Sequence, residues 1–163
     1  MKKLITITFA AFMLAVFILP SCKNAETGDK SDSTCCQAIN ADSLAALWNN
    51  AWNTKDSVAL RGMIAEKAFV IDRDWSVEGI DSIFAKWIKF SLPVVSNVKT
   101  MPLKVNSSCC CVSMTGFYSL EYQSKEGIKP SRGNFTFIWM LQEDKTYKLE
   151  LMHMTEFEEK EAK

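Results

Sequence analysis

Apolar residues recur at three- and four-residue spacing where the folded part of the chain begins. In QAINADSLAALWNNAWNTKD, Ile39, Leu44, Leu47, Trp48, Ala51 and Trp52 fall on one face, which predicts an amphipathic helix. DSVALRGMIAE follows as a shorter helical piece with Asp56 as its N-cap. KAFVIDRDWS has the β-branched and aromatic content of a strand, and VEGID that of a turn. Helical spacing returns in IDSIFAKWIKFSL through Ile80, Ile83, Phe84, Trp87 and Ile88, with Asp81 placed to cap it and Pro93 to stop it.

The remainder reads as sheet. VVSNVKTMPLKVN is one strand, bent or bulged near Pro102, and SCCCVSMTGFYSLEYQ is the next. A loop, SKEGIKPSR, leads to a third strand, GNFTFIWMLQ, and a short turn, EDKT, to a fourth, YKLELMHMTEF. Sequential strands with short links favour an antiparallel meander, because parallel pairing needs long crossovers. Helices first and sheet afterwards make the fold class α+β.

Ahead of this body stands MKKLITITFAAFMLAVFILPSC. Lys2 and Lys3 precede an uncharged run from Leu4 to Leu19, the layout of a secretory signal peptide. The run is short for a spanning helix, which takes about 20 apolar residues. LPSC resembles a bacterial lipobox: Leu19, Ser21 and Cys22 match, while Pro20 departs from the usual small residue. That resemblance implies cleavage before Cys22 and acylation of Cys22, with several acyl chains giving a firm anchor. The expected organisation is a signal peptide at 1–21, a polar tether at 22–34, one folded domain at 35–158 and a charged tail at 159–163. The domain is then expected in the periplasm or at the cell surface.

Charge narrows the partners. The chain has 19 basic and 19 acidic residues, and cleavage removes two of the basic ones, so the exported part is mildly acidic. It has only three Arg and no basic patch, which argues against a nucleic-acid partner.

The frame LWNNAWNTKDSVALRGMIAEKAFVID, then VEGIDSIFAKW, TGFYSLEY and GNFTFIWMLQEDKTYKLELMHMT, resembles the nuclear-transport-factor-2-like superfamily. The nearest branch is the SnoaL-like domains of the ketosteroid-isomerase-like group. The resemblance covers nearly the whole body and includes no diagnostic catalytic signature. It implies a cone-shaped domain, its N-terminal helices packed in a curved, mostly antiparallel sheet. It also implies a cavity between helices and sheet, and homodimerisation through the sheet. One such fold hosts many functions, so function has to be argued from the site.

Two residues are candidates for acid/base work. His153 is the single histidine. At period two it shares a face with Tyr147, Leu149 and Leu151, which points it inward. The resemblance implies a His near this place that reaches the cavity, and imidazole suits proton transfer near neutrality. A buried, hydrogen-bonded histidine at a strand end is the plain alternative. Asp72 and Asp74 share one face of the strand VIDRDWS. The resemblance implies a carboxylate base in an apolar cavity, where burial would raise the pKa. A solvated strand end is the alternative for Asp72. One histidine rules out a histidine-rich metal site within one chain, and the sequence calls for no cofactor.

Aromatic residues are the more suggestive set. Trp48, Trp52, Trp75, Trp87 and Trp139 are five indoles in a small domain. Trp52 and Trp87 lie on the core faces of their helices, and Tyr118 and Trp139 face the interior from later strands. Together with His153 they are the candidate lining of a cavity for a small apolar ligand. Filling the core is the default role for any one of them.

The cysteines fall in two clusters, Cys35–Cys36 and Cys109–Cys110–Cys111. On a regular strand Cys109 and Cys111 point one way and Cys110 the other, so the run cannot converge on one metal without Cys35 and Cys36. Neither cluster has C-x-x-C spacing. Cys110 shares its face with Val112, Met114 and Tyr118 and is expected as a small core residue. In an oxidising compartment a disulfide joining Cys109 or Cys111 to Cys35 or Cys36 is the favoured use. Closing a loop of about 75 residues would add a few kcal/mol.

Three functions stay open on this reading. The first is a lipid-anchored binding or dimeric accessory domain for a small apolar ligand. The second is a ketosteroid-isomerase or SnoaL-like enzyme using Asp72 and His153. The third is a thiol-based metal or redox protein.

Overall fold

The computed structural model describes residues 39–157. The expected signal peptide, Cys22 and its tether, Cys35, Cys36 and the charged tail lie outside the described residues. Among the described residues no helix is long and apolar enough to cross a membrane.

Helix α1 spans Ala41–Asn53 and is capped by Asn40, whose side-chain oxygen accepts from the Asp42 N–H at 2.9 Å. Its buried residues are Leu44, Ala45, Trp48, Ala51 and Trp52. Leu47, expected inside, is 55% exposed, because the buried arc runs through Ala45 instead. Helix α2, Ser57–Met63, starts where Asp56 Oδ1 accepts from the Ala59 N–H at 2.8 Å.

Strands β1 (Ile64–Asp72) and β2 (Trp75–Glu78) then form a tight hairpin, with Asp72 opposite Trp75. One continuous strand through this region was the expectation. The chain instead reverses at Arg73 and Asp74, and Arg73 takes a left-handed backbone, φ 46°. Asp74 therefore leaves the face it was expected to share with Asp72. The third helix, α3, begins as Ile80–Ile83, passes through a π-helical turn at Phe84–Ile88 and closes as Lys89–Ser91 just ahead of Pro93. Asp81 does not cap it: Gly79 holds the cap position, and Asp81 pairs with Arg61 of α2.

Strands β3 (Val95–Ser107), β4 (Cys111–Ser124), β5 (Gly127–Leu141) and β6 (Tyr147–Glu156) make the meander. The sheet order is β2-β1-β6-β5-β4-β3, antiparallel throughout except for the β1–β6 pair. The segment expected as the loop SKEGIKPSR is a two-residue turn at Lys125 and Glu126, and Gly127 to Arg132 belong to β5. β3 shifts register at two places, one beside Asn97 and one at Pro102–Lys104. The second agrees with the bulge expected near Pro102.

The cysteine run differs from expectation. Ser108, Cys109 and Cys110 form the turn between β3 and β4, and the strand starts at Cys111. The backbone carbonyls hold the turn. Cys109 O accepts from the Tyr147 hydroxyl at 3.1 Å, Cys110 O from Leu141 N–H at 2.8 Å, and Cys111 O from Ser108 N–H at 2.8 Å. Cys110 is thus an exposed free thiol and not a core residue, while Val112, Met114 and Tyr118 are buried as expected. Cys111, an expected disulfide candidate, is also a free thiol. Cys109 is disulfide-bonded.

Two inward-facing glycines set the curvature of the sheet. A Cβ on Gly116 would lie 2.1 Å from Met101 O, and one on Gly133 would lie 2.0 Å from Thr155 O. In a flat sheet no neighbouring backbone comes that close to a Cβ. β3 is therefore folded over β4, and β6 over β5, toward the face that holds α1. The end of α1 is tied to β3 by the Asn53 amide. Its Nδ2 donates to Val98 O at 2.9 Å, and its Oδ1 accepts from Val98 N–H at 2.7 Å.

Alanine is expected to act in opposite directions at different glycines. Gly133→Ala and Gly116→Ala should each lower stability by about 1–3 kcal/mol through overpacking. Gly62→Ala, in α2 with nothing near its Cβ position, should raise it by about 0.5–1 kcal/mol. Urea midpoints of the three variants check the contrast, and a neutral Gly133→Ala would refute the close approach.

Candidate functional site

Between α1, α3 and the concave face of the sheet lies a cavity of about 320 Å³. Its deep walls are apolar: Trp48 and Trp52 from α1, Trp87 from α3, Phe137 from β5 and Met152 from β6. Trp48 stands edge-on to Phe137, ring centroids 5.4 Å apart, and Trp52 is tilted against Trp87 at 5.3 Å. The π-helical turn contains Trp87, whose ring reaches the cavity while Ile83 and Ile88 stay in the core.

At one end the lining changes character. The β1–β2 hairpin brings Asp72, Arg73 and Trp75 to the cavity, and β4, β5 and β6 add Tyr118, Ser131 and Glu156. Arg73 forms an ion pair with Glu156. Burial raises the Asp72 carboxyl above its ordinary value. Arg73, His153 and a hydrogen bond with Trp75 pull it back down, and Asp74 adds to the rise. Burial likewise raises the Tyr118 hydroxyl, against a hydrogen bond with Ser131 and with the Asp72 charge adding to the rise. The Asp72 charge thus reaches Tyr118 within the same cavity.

Of the residues singled out in the sequence, Asp72, Trp52, Trp87 and Tyr118 line this cavity. Trp139 and His153 do not. Trp139 is 0% exposed and packs edge-on to Trp48, centroids 6.3 Å apart. Its indole N–H has no hydrogen-bond partner. Leaving that donor unmet costs about 1–3 kcal/mol. Burying 150–250 Å² of indole returns about 4–6 kcal/mol, so packing wins and Trp139 acts as core.

His153 is a correction. β6 carries an irregularity at Glu150: Ile138 pairs with Leu151 and the next β5 residue, Trp139, with Leu149. The extra residue inverts the alternation. Leu149 and then Met152 are buried, Met154 lines the cavity, and His153 is exposed on the outer face opposite Thr136. Its Nε2 lies 3.4 Å from Thr155 Oγ1. His153 can therefore touch no ligand in the cavity.

The sequence reading missed Trp75, Tyr122, Ser131, Arg73 and Glu156 as lining residues. Period-two alternation puts Tyr122 on the inward face with Tyr118, which is the signal that marks it. Nothing local marks the turn at Arg73 that brings in Arg73 and Trp75. Among the described residues no group of three His, Cys, Asp or Glu is placed to hold a metal ion. Disulfide candidates Cys35 and Cys36 lie outside those residues.

No family model matches the sequence, and no curated protein matches it. Solved structures do share its fold. A ketosteroid isomerase-like protein from Erwinia carotovora atroseptica is 11% identical over 72% of this chain and 93% of its own, with a TM-score of 0.61. A protein of the nuclear transport factor 2-like superfamily from Salmonella enterica serovar Typhimurium is 6% identical, covering 69% and 87%, TM-score 0.58. A nuclear transport factor 2-like protein of unknown function from Shewanella oneidensis is 18% identical, covering 72% and 99%, TM-score 0.56. The chain has this α+β fold, and at such identities the likeness speaks for the fold alone.

The environment of Asp72 sets a pH dependence. Its folded value lies above the ordinary 3.8, so the folded state holds the proton more tightly than the unfolded one. Stability is then lost as pH rises from about 3.8 through the raised value and levels off above it. Asp72→Asn should be more stable than the parent at pH 7.5, with the difference closing by pH 3.5. Urea denaturation at both values checks this. A variant equally destabilised at both would show that burial does not govern this carboxyl.

Proposed function

We propose that this chain is an exported, lipid-anchored binding protein that holds a small, largely apolar ligand in the aromatic cavity. The observation that carries the reading is the cavity itself: about 320 Å³, indole and phenyl walls, and polar groups gathered at one end. That is the usual build of a small-molecule site, where apolar walls supply affinity and a few polar groups set orientation. The volume is at the lower end for such sites, which suits a ligand of one or two rings. Acid/base turnover is the alternative. Asp72 and Tyr118 favour it by sharing the cavity, but it would have to work without His153. Asp72-dependent exchange of a bound ligand's acidic C–H protons with deuterated solvent would separate turnover from simple binding.

Titration with 2-phenylethanol, read by indole fluorescence, tests the binding reading. One saturable site is expected. Leu120→Trp, which fills the cavity from its half-exposed wall, should weaken binding at least about tenfold, a loss of roughly 1.4 kcal/mol. Trp139→Phe, outside the cavity, should bind as the parent does. Equal binding by parent and Leu120→Trp would sink the proposal.

Export and anchoring rest on the N-terminal pattern and Cys22. Dimerisation through the sheet is supported by apolar residues on its outer face: Met101 and Phe117 sit opposite each other and are exposed, and Phe117 contacts Phe157 at 6.0 Å. In a producing bacterium, labelled palmitate should enter the protein and be absent from Cys22→Ser. The unlipidated protein should sediment as a dimer, and as a monomer once Phe117→Glu is added. Label retained in Cys22→Ser, or a monomer without the second change, would overturn the corresponding half.

A further inference from the structure

We propose that the ligand of this cavity is a cation: an amine or quaternary ammonium on a small aromatic or aliphatic body. The proposal rests on the binding reading above and names the class of ligand for the same site.

The charge balance of the lining is the first ground. Among the described residues that line the cavity, the charged ones are Asp72, Arg73 and Glu156. Arg73 is paired with Glu156, so that pair is close to neutral toward a guest. The Arg73 charge also acts on Asp72, and one guanidinium shared between two carboxylates leaves the lining with an excess of negative charge. Of the groups that favour the Asp72 charge, Arg73 acts most, then His153 on the outer face, then a hydrogen bond with Trp75. Asp74, in the same turn, adds further negative charge nearby.

The walls are the second ground. Trp52, Trp75, Trp87 and Tyr118 line the same cavity as Asp72, Trp75 from the same hairpin. Indole faces are the best aromatic partners for a cation, and such contacts strengthen when water is kept out. Aromatic walls in a lining with one more carboxylate than guanidinium suit an ammonium on both counts.

The three ligand charges can be compared directly. An anionic guest would meet two carboxylates and one guanidinium that is already engaged. A neutral guest would keep water from Asp72 and give its charge nothing in return. A cationic guest compensates that charge and uses the ring faces. Burial raises the Asp72 carboxyl, and a neighbouring ammonium acts in the opposite sense, so the guest relieves what the site costs the fold.

The experiment uses the mature protein and three probes of one shape: 2-phenylethylamine, 2-phenylethanol and 3-phenylpropanoate, titrated calorimetrically at pH 7. The amine should bind about tenfold or more tighter than the alcohol, and the carboxylate weakest. Asp72→Asn should collapse the amine-to-alcohol ratio. An arm that needs no variant compares a trimethylammonium probe with its neutral tert-butyl isostere, and the cation should again win. Equal binding of amine and alcohol, or tightest binding of the carboxylate, overturns the cation assignment and leaves the binding reading standing. Failure of all three probes to bind overturns both.

Discussion

A sheet can wrap a helix only where its backbone is allowed to fold over itself, and here that permission comes from two missing Cβ atoms. Gly116 and Gly133 sit on the inward face of neighbouring strands, and both positions are occupied at about 2 Å by backbone of the next strand. Each therefore marks a seam where the sheet turns inward, one between β3 and β4 and one between β5 and β6. Without that curl, α1 would rest on an open sheet and Trp52 and Trp87 would have nothing behind them. With it, the concave face meets the helices on several sides. The Asn53 amide then fixes the end of α1 by standing in for a missing strand at Val98 on the sheet edge.

Much of this was legible in the sequence, and the parts that were not share a cause. The α1 stripe, the Asp56 cap, the stop at Pro93, the bulge near Pro102 and the EDKT turn follow from local chemistry, and the structure has them. The failures lie where a neighbouring strand overrides the local pattern. β6 has no Gly, Pro or Asn at Glu150 to announce an extra residue. The irregularity arises because β6 is clamped between β5 and β1, and both pairings shift register there. One residue of slip exchanged His153 for Met152 and Met154 on the cavity side. A candidate for acid/base work is thus a surface histidine.

The hairpin at Arg73 and the turn at Cys109–Cys110 make the same point from the other direction. A two-residue reversal is normally marked by Gly or Asn, which take φ > 0 without strain. Arg73 carries that conformation, so the turn was invisible and the segment read as one strand. Its long side chain is what the position uses, since Arg73 reaches Glu156 across the cavity mouth. At the other end of the sheet, three cysteines read as an alternating strand. Their carbonyls, however, are taken by Tyr147, Leu141 and Ser108, and alternation starts only after the turn those bonds create.

The cavity itself follows from a mismatch of lengths. α1 has 13 residues, about 20 Å at 1.5 Å per residue. β4 and β5 have 14 and 15, roughly 45–50 Å at 3.3 Å per residue. The helix cannot cover the inner face of strands more than twice its length. Beyond the end of α1 the face is covered by side chains from two other places, Trp87 from α3 and Trp75 from the β1–β2 hairpin. The rings come from separate elements, Trp52 lies tilted against Trp87 at 5.3 Å, and the cavity remains among them. The same hairpin that supplies Trp75 must also reverse the chain, and its turn brings polar residues with it. Asp72 and Arg73 therefore arrive at the open end of an apolar space as a consequence of how that space is closed. The charge at the mouth and the aromatic walls are two results of one covering problem, and a guest able to use both is the one this fold favours.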